Sequence, residues 1–168
     1  MMMIKSLSYY LFQEVKNMDS EIKQTWNGTS GIYNKGTVDL PAIVKSIKAN
    51  PDIEKVGSIL TFNGIVRQTS KNGQKVKSLT IDSYNELANK TIQKISNDIK
   101  NINGIIDLRI IHLKGKFDIS DDLVFVVIAS SHREEGFKAL REAVERYKTE
   151  IEVWKREELT DGSSEWQH

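Results

Sequence analysis

Apolar residues recur along this chain in two rhythms, and the switching between them predicts the order of its elements. Leu40, Ile43, Val44 and Ile47 stand at helical spacing, with Pro41 in the first turn and Asn50-Pro51 beyond the end, which predicts a short amphipathic helix. Val56 to Val66 is β-branched and apolar, broken by Gly57 and Gly64, and reads as a strand. The turn dipeptide Asn72-Gly73 then leads into a second strand over Val76 to Tyr84. Ala88, Ile92, Ile95, Ile99 and Ile102 return to helical steps and predict a helix over roughly 86–101. Ile105 to Lys114 is the next expected strand, stopped by Gly115 and the turn Ser120-Asp121-Asp122. Leu123 to Ile128 is an unbroken apolar run, the mark of a strand covered on both faces. Phe137, Leu140, Val144 and Tyr147 are then expected to form the buried stripe of a third helix. Ile151 to Glu157 and Glu165 to Gln167 read as a closing hairpin around Asp161-Gly162-Ser163. Strands arrive in pairs between helices, which predicts an α+β fold with a mainly antiparallel sheet and about three helices.

Residues 1–36 do not share this regularity. Ile4, Leu7, Leu11 and Val15 fit one helical stripe, but Trp26-Asn27-Gly28-Thr29-Ser30-Gly31 has the composition of a loop. The expected organisation is an N-terminal extension over 1–36 and one domain over 37–168, the extension being either a loosely packed arm or a docking segment.

Composition narrows the chemistry. In 168 residues, Lys and Arg total 24 and Asp and Glu 23, a formal charge of +1. That balance argues against a dedicated nucleic-acid binder, yet leaves room for a local basic pocket. Cysteine is absent, which removes disulfides, thiolate metal sites and a cysteine nucleophile. With three histidines, an all-protein metal site is not expected. Glu14 and Lys16 cut short the apolar start and no small-residue cleavage site follows, so neither a signal peptide nor a membrane span is expected; a cytoplasmic location follows by elimination.

Three places could carry chemistry. Ser131-His132-Arg133-Glu134 follows a buried strand and precedes a helical stripe, which predicts a capping box with Ser131 as N-cap. Arg133 in a first helical turn opposes the dipole, which makes sense if an anion meets it there; the alternative is that Glu134 and Glu135 neutralise it. Lys148 falls in the last turn of that helix, where a cation also serves as a plain cap. In the following strand Ile151, Val153 and Lys155 share a face, while Trp154 lies on the side of Glu152 and Arg156, expected beneath the guanidinium. Gly64-Ile65-Val66-Arg67 places an arginine at a strand end. His112 reads as a packed residue, and Asp121-Asp122 as a turn.

Taken in order, four segments form a pattern. Thr61-Phe62-Asn63-Gly64-Ile65-Val66-Arg67, Ser131-His132-Arg133 followed by Phe137, Tyr147-Lys148-Thr149, and Trp154-Lys155-Arg156-Glu157 followed by Asp161-Gly162 and Trp166 resemble the motifs of the large subunit of molybdopterin synthase, the MoaE-like family. The likeness runs over roughly residues 38–168. It implies an α/β-hammerhead-like fold that pairs as a homodimer within a heterotetramer. The partner would be a small β-grasp, ubiquitin-like sulfur carrier ending in a Gly-Gly thiocarboxylate. The implied reaction moves sulfur in two rounds onto cyclic pyranopterin monophosphate, giving the molybdopterin dithiolene, with no cofactor of the protein's own.

By matching position, Lys148 and Lys155 would be catalytic. Ile65, Val66, Arg67, His132, Arg133, Arg156 and Glu157 would line the substrate site with them, His132 and Arg133 from the neighbouring protomer. A chain without cysteine needs its sulfur delivered, and an anionic thiocarboxylate and phosphate need a basic pocket. A lysine crowded by cations should have a lowered pKa; Lys148 is expected to make the covalent or proton-transfer contact and Lys155 to stabilise charge, or the reverse. Three departures stand out: Glu152 where the family has Pro, expected to bring a negative charge near Lys155; Leu113 after His112 where it has Arg, so that no site role goes to His112; and Gly136 where it has Ala, expected to cost about 1 kcal/mol of helix propensity. The competing reading is a non-catalytic α+β small-molecule-binding or interaction module, in which the basic residues would be scattered; a third is a divergent synthase subunit with its N-terminal arm adapted to another partner.

Overall fold

The computed structural model describes residues 25–167; the stripe of Ile4, Leu7, Leu11 and Val15 lies outside them. The described elements run β1 (Gly31–Asn34), α1 (Leu40–Lys48), a 3-10 turn (Ile53–Lys55), β2 (Ser58–Ile65), β3 (Val76–Ser83), α2 (Asn85–Lys100), β4 (Ile105–Asp118), β5 (Asp122–Ser130), α3 (Arg133–Glu150), β6 (Val153–Leu159) and β7 (Ser164–Gln167). The sheet order is β2-β5-β4-β3-β6-β7, all antiparallel, with β1 added to β4 in parallel. The α+β class with a mainly antiparallel sheet and three described helices agrees with the sequence pattern. No helix among the described residues is long and apolar enough to cross a membrane.

The uninterrupted apolar runs of β4 and β5 have two covered faces. Leu108 and Ile110 of β4 and Val124, Val126 and Ile128 of β5 pack with Ile92, Ile95 and Ile99 of α2 and Ala139, Ala143 and Tyr147 of α3. The alternate residues, Ile111, Leu113, Phe125, Val127 and Ala129, join Ile43 and Ile47 of α1. Period-two alternation thus assigns one helical layer to each face. Helix α1 begins as its sequence predicts: the Asp39 carboxylate accepts the Ala42 amide at 2.9 Å, and Pro41 needs no donor in the first turn.

Strand β4 does not stop before Gly115. It pairs with β5 through His112, then with β3 from Gly115 to Asp118. Gly115 adopts φ 127°, open to glycine and strained for other residues, at the changeover between partners. A glycine that reads as a terminator is therefore a joint within one long strand. Residues 31–34, within the stretch expected as an appendage, are a sheet strand: Ile32 and Tyr33 are buried, and Arg109 Nε donates to the Gly28 carbonyl at 2.7 Å. Four residues are too short a run for alternation to be evident beside the loop-like Trp26–Ser30.

Helix α3 also departs from expectation. Its buried positions are Gly136, Ala139, Ala143, Val144 and Tyr147, while Phe137 is 62% exposed. The helix lies on the sheet by its small residues: a β-carbon on Gly136 would stand 2.5 Å from both Leu60 Cδ1 and Ser130 Oγ. Gly136 is therefore a close-approach position as well as a propensity cost. The capping box is absent. His132, not Ser131, is the N-cap, in extended conformation with no side-chain cap bond. The Ser131 amide instead donates to Gly104 O at 2.8 Å, and Ser130 Oγ to the His132 carbonyl at 2.9 Å, so backbone ties move the helix start along by one residue.

Candidate active site

The end of α3 delivers Lys148 beside β2, and the chain then reverses into β6, which carries Lys155. Phe62 of β2 and Tyr147 of α3 have ring centroids 6.3 Å apart. Lys148 Nζ lies 5.7 Å from the Phe62 centroid, over a ring face that attracts a cation. The His112 ring also stands edge-on to Tyr147, at 6.2 Å. Tyr147 is thus in ring contact with both His112 and the Phe62 that underlies Lys148.

Lys155 is half-buried, opposite Ile81 of β3 and Gln167 of β7. Burial pushes its amine below the ordinary lysine value, the charges of Lys148 and Lys71 push the same way, and Glu157 opposes them. Lys148 and Lys155 are therefore in each other's field, as expected of a lysine pair. The additional cation is Lys71. Lys71 sits on an exposed loop held by Val76 N to Gln68 O at 2.8 Å and Ser70 N to Gln74 O at 3.0 Å. The Asn72-Gly73 turn signal announces that loop, but nothing in its sequence says which way Lys71 points. Glu152 does not act on Lys155 as expected: it is turned to α2, where Thr91 Oγ1 donates to both its carboxylate oxygens at 3.2 and 3.0 Å.

The remaining expected site residues divide among three places. Ile65 and Arg67 are exposed at the end of β2, flanking Val66. Val66 is buried in the α1-side core, its amide donating to Asp121 O and its carbonyl accepting from Ser120 N. Glu157 shares the Lys155 face of β6, and Arg156 faces the other way. The Arg156 guanidinium lies 5.8 Å over Trp166, its cross-strand partner in β7, not over Trp154. Cross-strand neighbours are closer than residues two apart on one strand, which accounts for the change of ring. Arg156 Nε is buried without a hydrogen-bond partner among the described residues. His132 and Arg133 are exposed at the opposite end of α3. Fifteen residues of helix separate Arg133 from Lys148, about 22 Å along the axis, so one chain does not bring them together.

Phe62 and Tyr147 stand in the matched motifs, but sequence reasoning gave them no place in the site; their spacing alone cannot distinguish a ring beneath a lysine from ordinary core. His112, expected as a packed residue, is 2% exposed, and burial with the nearby Lys155 charge lowers its pKa to about 4. Among the described residues no three His, Asp or Glu side chains converge as metal ligands.

Comparison with known proteins adds an independent line. The family model of the MoaE protein matches residues 34–150. A molybdopterin synthase catalytic subunit from Pyricularia oryzae is 35% identical over 112 residues, covering 67% of this chain and 61% of that relative. A probable molybdopterin synthase from Haloferax volcanii is 31% identical over 125 residues, covering 74% of this chain and 48% of its own length. The chain thus spans about half to three-fifths of these two relatives. The crystal structure of molybdopterin synthase from Staphylococcus aureus superposes with a TM-score of 0.72 at 28% identity, covering 83% of this chain and 96% of that one. With the sheet order, the four motifs and a family match over most of the described residues in agreement, the chain belongs to the MoaE protein family.

Proposed function

We propose that this chain is the catalytic subunit of a molybdopterin synthase, a sulfurtransferase that takes sulfur from the thiocarboxylate of a small carrier protein and places it on cyclic pyranopterin monophosphate. The observation that carries the reading is the half-buried Lys155, its pKa lowered by burial and by Lys148 and Lys71, in a chain with no cysteine. A depressed amine is more often neutral, and a neutral amine can accept a proton or attack an acyl carbon. That favours the exchange of the roles expected from sequence: Lys155 for proton transfer or covalent contact, and Lys148, over Phe62, for holding the anionic thiocarboxylate.

Ile65, Val66 and Arg67 would form the wall beside them, Val66 through its packing. Glu157 would tune Lys155, and Arg156 would meet substrate from the far face of β6. His132 and Arg133 would bind the substrate phosphate from a second copy of the chain, because about 22 Å separates them from Lys148 within one copy. This gives a homodimer carrying two small subunits.

Incubating the protein with a thiocarboxylated carrier and the pyranopterin precursor should yield dithiolene product. Lys148→Ala and Lys155→Ala should each reduce turnover by at least about a hundredfold; near-normal turnover in both would end the assignment.

A further inference from the structure

Helix α1 covers the sheet with one face and leaves apolar surface on another. Ile43 and Ile47 are fully buried, while Leu40 and Val44 are only partly covered and Pro41 is exposed. Leu40, Pro41 and Val44 line a groove of about 530 Å³, with Lys45 and Lys48 at its rim. Neither lysine has a carboxylate partner among the described residues. An apolar groove edged with cations suits an apolar segment that brings a carboxylate.

The chain carries such a segment. Residues 1–24 lie outside the described residues and outside the family match over 34–150. Among them Ile4, Leu7, Leu11 and Val15 keep helical spacing, with Lys5, Tyr9 and Gln13 at positions on the opposite side and Glu14 next to Val15. A helix over 4–15 would be about 18 Å long, against about 13 Å for α1. The described chain also begins at one end of that groove. Arg109 Nε holds the Gly28 carbonyl at 2.7 Å, and the same guanidinium pairs with Asp107. Asp107 in turn accepts from Asn50 Nδ2 at 2.9 Å, just beyond the last turn of α1. Trp26 packs on the same core cluster as Leu40 and Val44. From there residues 16–24, which span at most about 30 Å when extended, reach the whole groove.

We propose that residues 4–15 of this chain occupy the α1 groove as a helix, seating Ile4, Leu7, Leu11 and Val15 on Leu40, Pro41 and Val44 and bringing Glu14 to Lys45 and Lys48. The stripe needs an apolar partner and the groove an apolar cover, and one contact supplies both. Entry beside Asn50 sets the direction, with Val15 at the Lys48 end and Ile4 at the Leu40 end. Neither Lys148 nor Lys155 takes part, so the contact stands apart from the synthase reading.

Because the chain has no cysteine, a nitroxide can be fixed at one chosen place. Carried on Ser6→Cys of the full chain, it should broaden the Val44 methyl resonances much more than those of Leu87, exposed on α2 across the sheet. Leu7→Ser and Leu11→Ser together should abolish that difference. Equal broadening at Val44 and Leu87, or a difference that survives both substitutions, overturns the proposal. Isotope-labelled protein without a nitroxide, mixed with unlabelled protein that carries one, should show no broadening at Val44. Broadening in that mixture would make a second copy the occupant and overturns the proposal as well.

Hydrogen exchange gives a second reading from the groove side. Val44→Lys should speed exchange of the amides over 7–15 by about tenfold or more while leaving those of α2 unchanged. Exchange over 7–15 that ignores the substitution overturns the proposal even if the paired serine variant misfolds.

Discussion

A β-carbon on Gly57 would fall well inside contact distance of the Ser131 carbonyl oxygen, so these two residues are neighbours only because the first is glycine. Gly57 also donates its amide to Ser130 O at 2.9 Å, which ties the start of β2 to the turn that leads into α3. That turn presents His132 and Arg133. Gly57→Ala should lower stability by about 2 kcal/mol, in the range of overpacking with backbone displacement, read as a shift in the urea midpoint. The amide resonances of Ser131 to Arg133 should move more than those of Lys148 or Lys155.

Gly136 separates two opposed effects. Alanine should gain about 1 kcal/mol of helix propensity, yet its β-carbon would press on Leu60 Cδ1 and on Ser130 Oγ. Leu60 can swing aside, but Ser130 Oγ is engaged with Ser58 Oγ and the His132 carbonyl at 2.9 Å each. The crowding should win: Gly136→Ala should unfold at a lower temperature than the unaltered protein, and an increase in melting temperature would contradict the packing described.

The amine of Lys155 should respond to its neighbours in a definite order. Removing a like charge raises a depressed lysine pKa. Lys148→Gln should therefore raise it most after the large effect of burial, and Lys71→Gln should raise it less. Competitive acetylation of Lys155 across pH, read by peptide mass, measures each shift. A Lys155 that titrates identically in all three proteins would mean that the charges do not share one pocket.

Acid should weaken the fold in a window set by His112. Its folded pKa is about 4 and its ordinary value 6.5, burial being the main cause. The unfolded chain therefore takes up the proton first as pH falls. Stability is complete above about pH 6.5 and declines from there through about pH 4, by on the order of 3 kcal/mol. Urea midpoints at several pH values should follow this slope, and His112→Gln, which has nothing to titrate, should flatten it in that window.

What the sequence reveals depends on whether a signal repeats. The α1 and α2 stripes and the two-faced runs of β4 and β5 are long enough for periodicity to define them, and they carry the fold. The face of α3 is misread because large apolar residues were followed, whereas contact is made through Gly136, Ala139 and Ala143, whose value is their smallness. For the candidate site, the motifs single out Lys148 and Lys155 by position. They do not reveal that Lys71 adds its field or that Arg156 rests on Trp166, because a loop lysine and a cross-strand ring have no periodicity to betray them. The remoteness of His132 and Arg133 from Lys148 is legible, by contrast, because the sequence already places them at opposite ends of one helix, and α3 runs unbroken between them.

Because β4 is continuous across Gly115, it works as a ruler common to both halves of the molecule. Losing a single residue between His112 and Phe117 would turn every later side chain of the strand over, sending Phe117 outward and Lys116 into the α1 layer. The hairpin that carries Lys155 hangs on β3, and β3 takes its alignment from that stretch. The measure of the distance between the two lysines is thus kept by a strand that contains neither.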